Sequence, residues 1–121
     1  MIWRMTVWLW FVLLLATPAW AGQNILTWTD NSTNEANFNI ERTTAATVAA
    51  CQTATGFTSL ASVGFNVVTF TDVAVVEGTT YCYRVNASNM AGASGFSNIA
   101  GRLVPFTIPA APSGLGVSGG P

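Results

Sequence analysis

The stretch Tyr81-Cys82-Tyr83-Arg84-Val85-Asn86-Ala87-Ser88-Asn89 decides the fold of this chain. Large or apolar side chains at its odd-numbered positions, 81 to 87, alternate with more polar ones. A period of two is typical of a β-strand with one side against a core and the other toward water. The segment that follows, residues 89–95, is rich in Asn, Gly and Ser, which indicates a turn. We therefore predict a half-buried strand with the odd-numbered side chains inward.

Shorter stretches with strand character surround it. Leu26 and Trp28 share one side of a strand predicted at 25–29, and the polar cluster 30–34 ends that strand. Phe38 and Ile40 share one side of the next strand. Further predicted strands and core positions are 57–63 with Leu60, 67–71 with Val68 and Phe70, and 96–104. Residues 43–55 are predicted to form a long loop, and no helix is predicted after residue 21.

Residues 24–104 resemble the fibronectin type III module. The resemblance rests on Leu26-Thr27-Trp28, Phe38-Asn39-Ile40-Glu41-Arg42, the stretch 81–89 and Ser94-Gly95-Phe96-Ser97-Asn98. It implies an all-β, immunoglobulin-like Greek-key sandwich. It also places Tyr81 where such modules carry the tyrosine whose hydroxyl bonds to nearby backbone at a corner. Because sandwiches of this kind host many unrelated functions, the resemblance predicts the fold better than the function.

The first 21 residues are predicted to be a secretory signal peptide. Arg4 precedes the apolar run 7–16, and the small-residue pattern Ala19-Trp20-Ala21 follows it. The run is about half of the roughly 20 residues that a membrane-spanning helix needs. We expect a secreted or cell-surface protein that begins near Gly22 and has no membrane partner after the signal is removed.

The composition argues against catalysis and against nucleic acid. The sequence contains no histidine and no lysine, and beyond residue 21 three arginines face five acids, a net charge of −2. Without a basic stripe, nucleic acid is not an expected partner. Serine and cysteine have no histidine to activate them, and neither zinc nor calcium has a plausible ligand set. We expect no catalytic residue, no metal and no cofactor, and so a protein that is not an enzyme.

The acidic residues are expected to be structural. They are Asp30, Glu35, Glu41, Asp72 and Glu77, and all are predicted on turns or on outward strand positions. Glu41 and Arg84 fall on outward positions of neighbouring strands, where an exposed pair contributes under about 1 kcal/mol.

Two cysteines in a secreted chain indicate one disulfide, since the even count leaves no odd thiol. In the topology that the resemblance implies, Cys51 lies in the loop after one strand and Cys82 at the start of its neighbour, pointing outward. The pair Cys51–Cys82 is therefore predicted to close a loop of about 30 residues.

The resemblance also shows a displaced strand. Such modules open with a strand before the tryptophan strand, whereas here the predicted mature chain enters directly into the strand that carries Leu26 and Trp28. A matching segment, Ala110 to Ser118, follows the last predicted strand, with Ala111 and Pro112 as lead-in and Leu115 and Val117 at period two. We assign residues 22–104 to a domain that lacks its first strand and residues 105–121 to a linker and donor-like strand.

Three explanations of this arrangement stay open. The tail, residues 105–121, completes another copy of the chain, begins the next module of a tandem array, or folds back onto its own domain. The first predicts a filament joined by strand exchange along the acceptor edge at Leu26 and Trp28, with other copies of the chain as partners. The second predicts a spacer or adhesion module of a surface protein or carbohydrate-active enzyme. An extracellular protein or glycan ligand is compatible with either, and the sequence names none.

Overall fold

The computed structural model describes residues 22–121, so the predicted signal peptide lies outside the described residues. Seven strands and one 3-10 helix form the described part. The strands are β1 (Asn24–Thr27), β2 (Asn37–Ala45), β3 (Thr58–Gly64), β4 (Thr69–Asp72), β5 (Thr80–Asn89), β6 (Gly92–Ala93) and β7 (Ala100–Leu103), and the 3-10 helix is Ala49–Thr53.

The strands form two antiparallel sheets that face each other. One sheet pairs β1 with β4, and the other has the order β3-β2-β5-β6, with β7 also paired to β5. This arrangement confirms the predicted immunoglobulin-like sandwich.

The core lies between the sheets, and the central strands supply most of it. The odd-numbered side chains of β5 face inward as predicted, and they pack against Phe38 and Ile40 of β2. The buried members of the core are Phe38, Ile40, Tyr81, Tyr83, Val85 and Val104, with Leu26, Trp28, Leu60 and Phe70 partly buried against them. The two-residue period in the sequence of β5 therefore corresponds to side chains that alternate between the core and the outer side of the sheet.

The register defines the two ends of the sandwich. Ala45, Thr80 and Leu103 lie together at one end, here called the tail pole because the chain leaves β7 there. Asn37, Ser88 and Gly64 lie at the other end, the opposite pole. A guanidinium nitrogen of Arg102 donates to Asn24 Oδ1 at 2.6 Å, which places the start of β1 at the tail pole. β1 therefore runs from the tail pole toward the opposite pole.

The predicted last strand, 96–104, was wrong in extent. Within it, only 100–103 forms a regular ladder with β5. Before residue 100, the Ser97 N–H still donates to the Val85 carbonyl, but serine hydroxyls replace backbone carbonyls as the acceptors for the β5 N–H groups. The backbone N–H of Val85 donates to Ser97 Oγ at 3.0 Å, and that of Ala87 donates to Ser94 Oγ at 2.9 Å. Short side chains that bond backbone groups compete with a regular ladder in this way.

The predicted loop 43–55 was also wrong in part. β2 continues to Ala45, and a 3-10 helix fills 49–53. The Thr47 hydroxyl accepts a hydrogen bond from the Ala50 N–H at 3.1 Å, which favours the tight turn at the start of this helix. A helix this short has no periodic sequence signal.

Candidate functional site

The outer edge of β1 is the first element of the candidate site. The N–H of Trp28 donates to the Val68 carbonyl at 3.0 Å, on the β4 side. Backbone groups alternate in direction along a strand, so the N–H and C=O of Ile25 and Thr27 point away from β4. No strand among residues 22–121 pairs with that side of β1. An unpaired row of this kind is a template for strand addition.

A groove runs beside this edge. Its main part has a volume of about 810 Å³ and lies between β1 on one side and β5 and β7 on the other. A second part of about 340 Å³ continues it past Trp28 toward Ser32 and Gly95. The two parts share Trp28, Thr29, Asn31, Val85 and Ser97, so together they follow the chain from Asn24 to Ser32. The groove therefore runs along the whole of β1 and past its end.

Trp28 lines both parts of the groove. Its ring packs against Phe38 with the centroids 5.7 Å apart and the planes tilted by 56°. Its indole Nε1 is buried and donates to no acceptor within the described chain. A buried donor without a partner is unusual in folded proteins, because its lost hydration is not compensated. Leu26 and Trp28 are only partly buried, so the predicted acceptor edge lies at an incompletely covered part of the core.

A polar network closes the tail-pole end of the groove. The Tyr83 hydroxyl donates to Asp72 Oδ2 at 2.7 Å and accepts from Asn24 Nδ2 at 2.8 Å. Arg42 pairs with the same Asp72 oxygen at 2.8 Å, and Arg102 holds Asn24 from the other side. The network thus joins both strands of the small sheet to the larger sheet.

The electrostatics of this network favour an ionised Asp72. Burial raises the pKa of Asp72, but the hydrogen bonds from Tyr83 and Arg42 outweigh burial, and the pKa lies below its ordinary value. Burial raises the pKa of Tyr83 well above the ordinary tyrosine value, so its hydroxyl stays a donor. The directions of these two pKa shifts thus favour an ionised Asp72 bonded to a protonated Tyr83 near neutral pH.

Asp72 lies at the turn after β4, where its carboxylate accepts from the Ala74 N–H at 3.1 Å, but the prediction that it is an exposed structural acid was wrong. Its side chain is only 2% exposed, and it ends β4 facing the second sheet. Tyr83 and Arg42 offset the cost of burying the Asp72 carboxylate, because both donate hydrogen bonds to it. No local pattern distinguishes Asp72 from the exposed acids, because its partners are 30 and 11 residues away in the sequence.

Cys51 and Cys82 form a disulfide, with Cα atoms 5.5 Å apart. Cys82 lies on the side of β5 away from the core, as predicted, and both cysteines are fully buried because the 3-10 helix covers this side. Gly101 completes the cover: a Cβ atom at that position would stand 2.6 Å from Cys51 Sγ. The disulfide is therefore buried on the outer side of the larger sheet, separately from the core between the sheets.

The Tyr81 hydroxyl accepts a hydrogen bond of 2.9 Å from the Val76 N–H, in the β4–β5 crossover. The Arg42 guanidinium also lies over the Tyr81 ring, 4.9 Å from its centroid. Tyr81 thus ties the crossover to the start of β5.

The outer side of the larger sheet carries an arginine stack. Arg84 pairs with Glu41 at 2.7 Å, as the outward positions on paired strands predicted. Its guanidinium also lies between two rings, 4.3 Å from the centroid of Phe57 and 3.8 Å from that of Phe96. Most aromatic residues were predicted to lie in the core, so the sequence analysis missed this stack. Phe57 and Phe96 are 39 positions apart, and only the fold brings them together.

The tail leaves the sandwich at the tail pole and is fixed only at its root. The Phe106 ring lies directly over Gly78, and Glu77 accepts hydrogen bonds from the Thr107 N–H, at 3.1 Å, and from the Thr107 hydroxyl. Beyond this, residues 108–121 form no strand within their own chain. Ala111 and Pro112 are exposed, and Leu115 and Val117 are 98% and 99% exposed. In a single chain, the predicted donor strand thus lies outside the groove beside the predicted acceptor edge.

The described residues show no metal or membrane element. No group of three or more His, Cys, Asp or Glu in residues 22–121 is arranged to hold a metal ion. None of the helices in this part of the chain is long and apolar enough to cross a membrane.

The comparisons place the fold among known structures. No protein-family model matches the sequence, and no curated protein matches it either. The sixth fibronectin type III domain from human fibronectin type III domain containing protein 3 is 17% identical with a TM-score of 0.55, covering 77% of this chain and 81% of that one. The twitchin kinase region from C. elegans is 22% identical with a TM-score of 0.55, covering 70% of this chain and 14% of that one.

Pectate lyase Pel3 from Pectobacterium carotovorum is also similar. It is 24% identical with a TM-score of 0.56, covering 76% of this chain and 26% of that one. This chain therefore spans only a small part of the twitchin and pectate lyase chains. Together these likenesses show that the chain has the fibronectin type III fold.

Proposed function

We propose that this chain is a secreted, non-catalytic structural module whose copies join head to tail. Each copy donates residues 110–118, here called the donor segment, into the groove beside β1 of the next copy. The observation that carries the proposal is the open edge of β1 beside a long groove, in a chain that also holds an exposed, strand-like tail.

The donor segment is long enough to follow the groove. The residues that line the groove on the β1 side run from Asn24 to Ser32, and only Asn24–Thr27 form the strand, because Asp30 and Ser32 lie in a turn. The donor segment has nine residues and spans roughly 30 Å when extended, at about 3.3 Å per residue, so it can pair with the whole of β1. Gly114 has a φ of 69° in the free tail, and glycine changes to an extended conformation at little steric cost.

The direction of the tail favours a second copy over self-closure. An added strand antiparallel to β1 has to begin at the opposite pole, near Thr29, whereas the tail leaves from the tail pole. Its root is held on the crossover by Glu77 and Gly78, neither of which lines the groove. A copy stacked end to end presents its opposite pole at that place, so its groove opens where the tail emerges.

Two apolar side chains alone do not hold two copies together. Burying Leu115 and Val117 contributes roughly 1.5 to 3 kcal/mol each, while association costs an estimated 4 to 15 kcal/mol. The ladder hydrogen bonds along Ile25 and Thr27 have to supply part of the difference. The exposed apolar side chains at the tail pole, Val76, Phe106 and Ile108, can supply another part when they pack against the next copy.

Secretion and the absence of catalysis are part of the proposal. A disulfide between two fully buried cysteines suits an oxidising compartment outside the cytoplasm. The polar groups that meet in the network are an ion pair and a tyrosine that stays protonated, which leaves no group poised to move a proton.

A second candidate is a spacer or adhesion module within a longer protein, with a protein or glycan ligand. The observation that favours it is that the twitchin and pectate lyase structures carry this fold as 14% and 26% of their chains. In that case the tail is a linker, and the groove is filled by a preceding or following segment of the same polypeptide.

The test is the oligomeric state of protein purified after secretion. Light scattering and electron microscopy should show end-to-end assemblies that grow with concentration for the natural chain. Leu115→Asp/Val117→Asp should leave monomers, because it places two charges against the core beside Leu26. Gly116→Asp/Ser118→Asp adds the same charge on the other side of the donor segment and should still assemble. Monomers at every concentration in the natural chain contradict the proposal.

A further inference from the structure

We infer that the donated strand has one polarity and one register: it runs antiparallel to β1, with Val117 opposite Leu26 and Leu115 opposite Trp28. This inference rests on the proposed head-to-tail assembly and specifies the contact that holds it together.

The polarity follows from the positions of the poles. β1 runs from the tail pole to the opposite pole, since Asn24 lies beside Arg102 and Asn37 follows at the far end. A tail that arrives from a neighbouring copy enters at the opposite pole and proceeds toward Asn24. The two strands therefore run in opposite directions.

The core side of β1 restricts the register to steps of two. Leu26 packs toward the core, and Ile25 faces solvent. Leu115 and Val117 also lie two residues apart, so they reach the core only when paired with inward positions of β1. A shift by one residue would turn both side chains to solvent and lose the apolar burial.

The buried polar network excludes the next register along. A shift by two residues toward the tail pole would place Val117 opposite Asn24, which is only 3% exposed. Asn24 donates to the Tyr83 hydroxyl and accepts from Arg102, and an isopropyl group offers neither of them a partner. In that register Val117 would pack against polar groups instead of apolar ones, and it would cover the exposed Arg102 guanidinium, which would lose water without gaining a partner.

A shift by two in the other direction is also unfavourable. It would place Leu115 opposite Asp30, whose carboxylate accepts a hydrogen bond from the Ser32 N–H at 3.0 Å in a turn. It would also leave Leu26 opposite Gly119, with no apolar cover. The favoured register pairs each apolar donor side chain with an apolar position of β1.

The same register suits the other residues of the tail. Gly116 stands opposite Thr27 and Ser118 opposite Ile25, whose backbone groups point to the open edge. Gly119 stands opposite Asn24, so no side chain displaces Arg102. Pro112 falls opposite Asn31, beyond the end of β1, where its missing N–H costs no ladder bond.

Disulfide trapping between two differently labelled copies tests the register. In a hydrogen-bonded antiparallel pair the Cα atoms are about 5.5 Å apart, within the range of a disulfide, whereas positions two residues along are beyond about 7 Å. Full-length Thr27→Cys protein is mixed with full-length Gly116→Cys protein, each secreted and purified separately. The matched controls mix Thr27→Cys with Gly114→Cys and with Ser118→Cys. All four altered positions are at least partly exposed, and circular dichroism verifies that each variant folds.

A disulfide-linked dimer of the 27 and 116 variants on a non-reducing gel, lost in both control mixtures, is the expected result. A dimer that forms instead with position 114 or 118 overturns the register but keeps strand exchange. If light scattering detects assemblies but none of these cross-links forms, the register is overturned as well. A link that forms only inside single chains of a Thr27→Cys/Gly116→Cys double variant, with no dimer in the mixture, overturns exchange between copies and therefore the proposed function.

Discussion

The Tyr83 hydroxyl donates a hydrogen bond of 2.7 Å to Oδ2 of Asp72, and this bond joins the two sheets at the closed end of the groove. Asp72 ends β4, and Tyr83 lies in β5. The small sheet has only β1 and β4 in the described residues, so few hydrogen bonds of this kind connect it to the larger sheet. The position of β1, the predicted acceptor edge, therefore depends on the buried Asp72 carboxylate and its partners.

Replacing Asp72 with asparagine should lower the free energy of unfolding near pH 7 by about 1.5 to 3 kcal/mol, the contribution of a hydrogen bond to a charged group. The pKa of Asp72 is below its ordinary value in the fold, so its contribution is present above the unfolded pKa and is lost as the pH falls through the folded value. Stability of the natural chain should thus decline below about pH 4. Asp72→Asn should show a flatter decline.

Urea denaturation between about pH 2 and pH 7 measures this difference. Asp30→Asn serves as the control, since it removes a carboxylate from a turn and leaves the network intact. Parallel pH curves for the natural chain and Asp72→Asn would show that Asp72 does not carry the acid sensitivity.

Tyr81 and Tyr83 should differ in their contributions to stability. Tyr83→Phe removes the donor to Asp72 and the acceptor for Asn24, and both groups are left buried, so we expect a loss of about 2 to 3 kcal/mol. Tyr81→Phe removes one bond from the Val76 N–H and should cost about 0.5 to 1.5 kcal/mol. Chemical denaturation of the two variants compares them directly, and an equal or reversed order contradicts the assignment.

The disulfide should contribute about 3 to 4 kcal/mol, because it closes a loop with a sequence separation of 31. Cys51→Ala/Cys82→Ala is expected to lose this amount in thermal and urea unfolding. With the disulfide intact, Gly101→Ala should cost roughly 1 to 3 kcal/mol, since its Cβ would stand 2.6 Å from Cys51 Sγ.

A double-mutant cycle separates these two effects. When Cys51 is alanine, the sulfur that Gly101→Ala would meet is absent, so most of the cost of Gly101→Ala should disappear. A cost that is the same in both backgrounds would mean that the glycine is required for another reason.

Trp28 should report assembly by its fluorescence. It is the single tryptophan of residues 22–121, and it lines the groove while only partly buried. Insertion of a donor segment removes water from its ring, so the emission maximum should move to shorter wavelength as the protein concentration rises. Leu115→Asp/Val117→Asp should abolish this shift, and Gly116→Asp/Ser118→Asp should keep it. A concentration-independent spectrum in the natural chain argues against an occupied groove.

Local sequence patterns were enough to predict the strands that build the core. The alternation in 81–89 and the pairs Leu26 with Trp28 and Phe38 with Ile40 gave the inward sides correctly, because a side chain in a strand alternates sides whatever lies opposite it. The boundaries of the last strand and the 3-10 helix were missed, since both depend on single hydroxyl groups that bond backbone atoms.

What the sequence by itself determined is thus the main core strands and their inward sides, which follow from short-range periodicity, and one cysteine pair, which follows from the count of two. The donor role of the tail stays a prediction. The tertiary structure alone decided that Asp72 is buried, that Arg84 lies between Phe57 and Phe96, and that a groove opens beside Trp28. These features arise where strands distant in the sequence come together. Burial and charge compensation are properties of that long-range packing, and no local pattern in the chain encodes them.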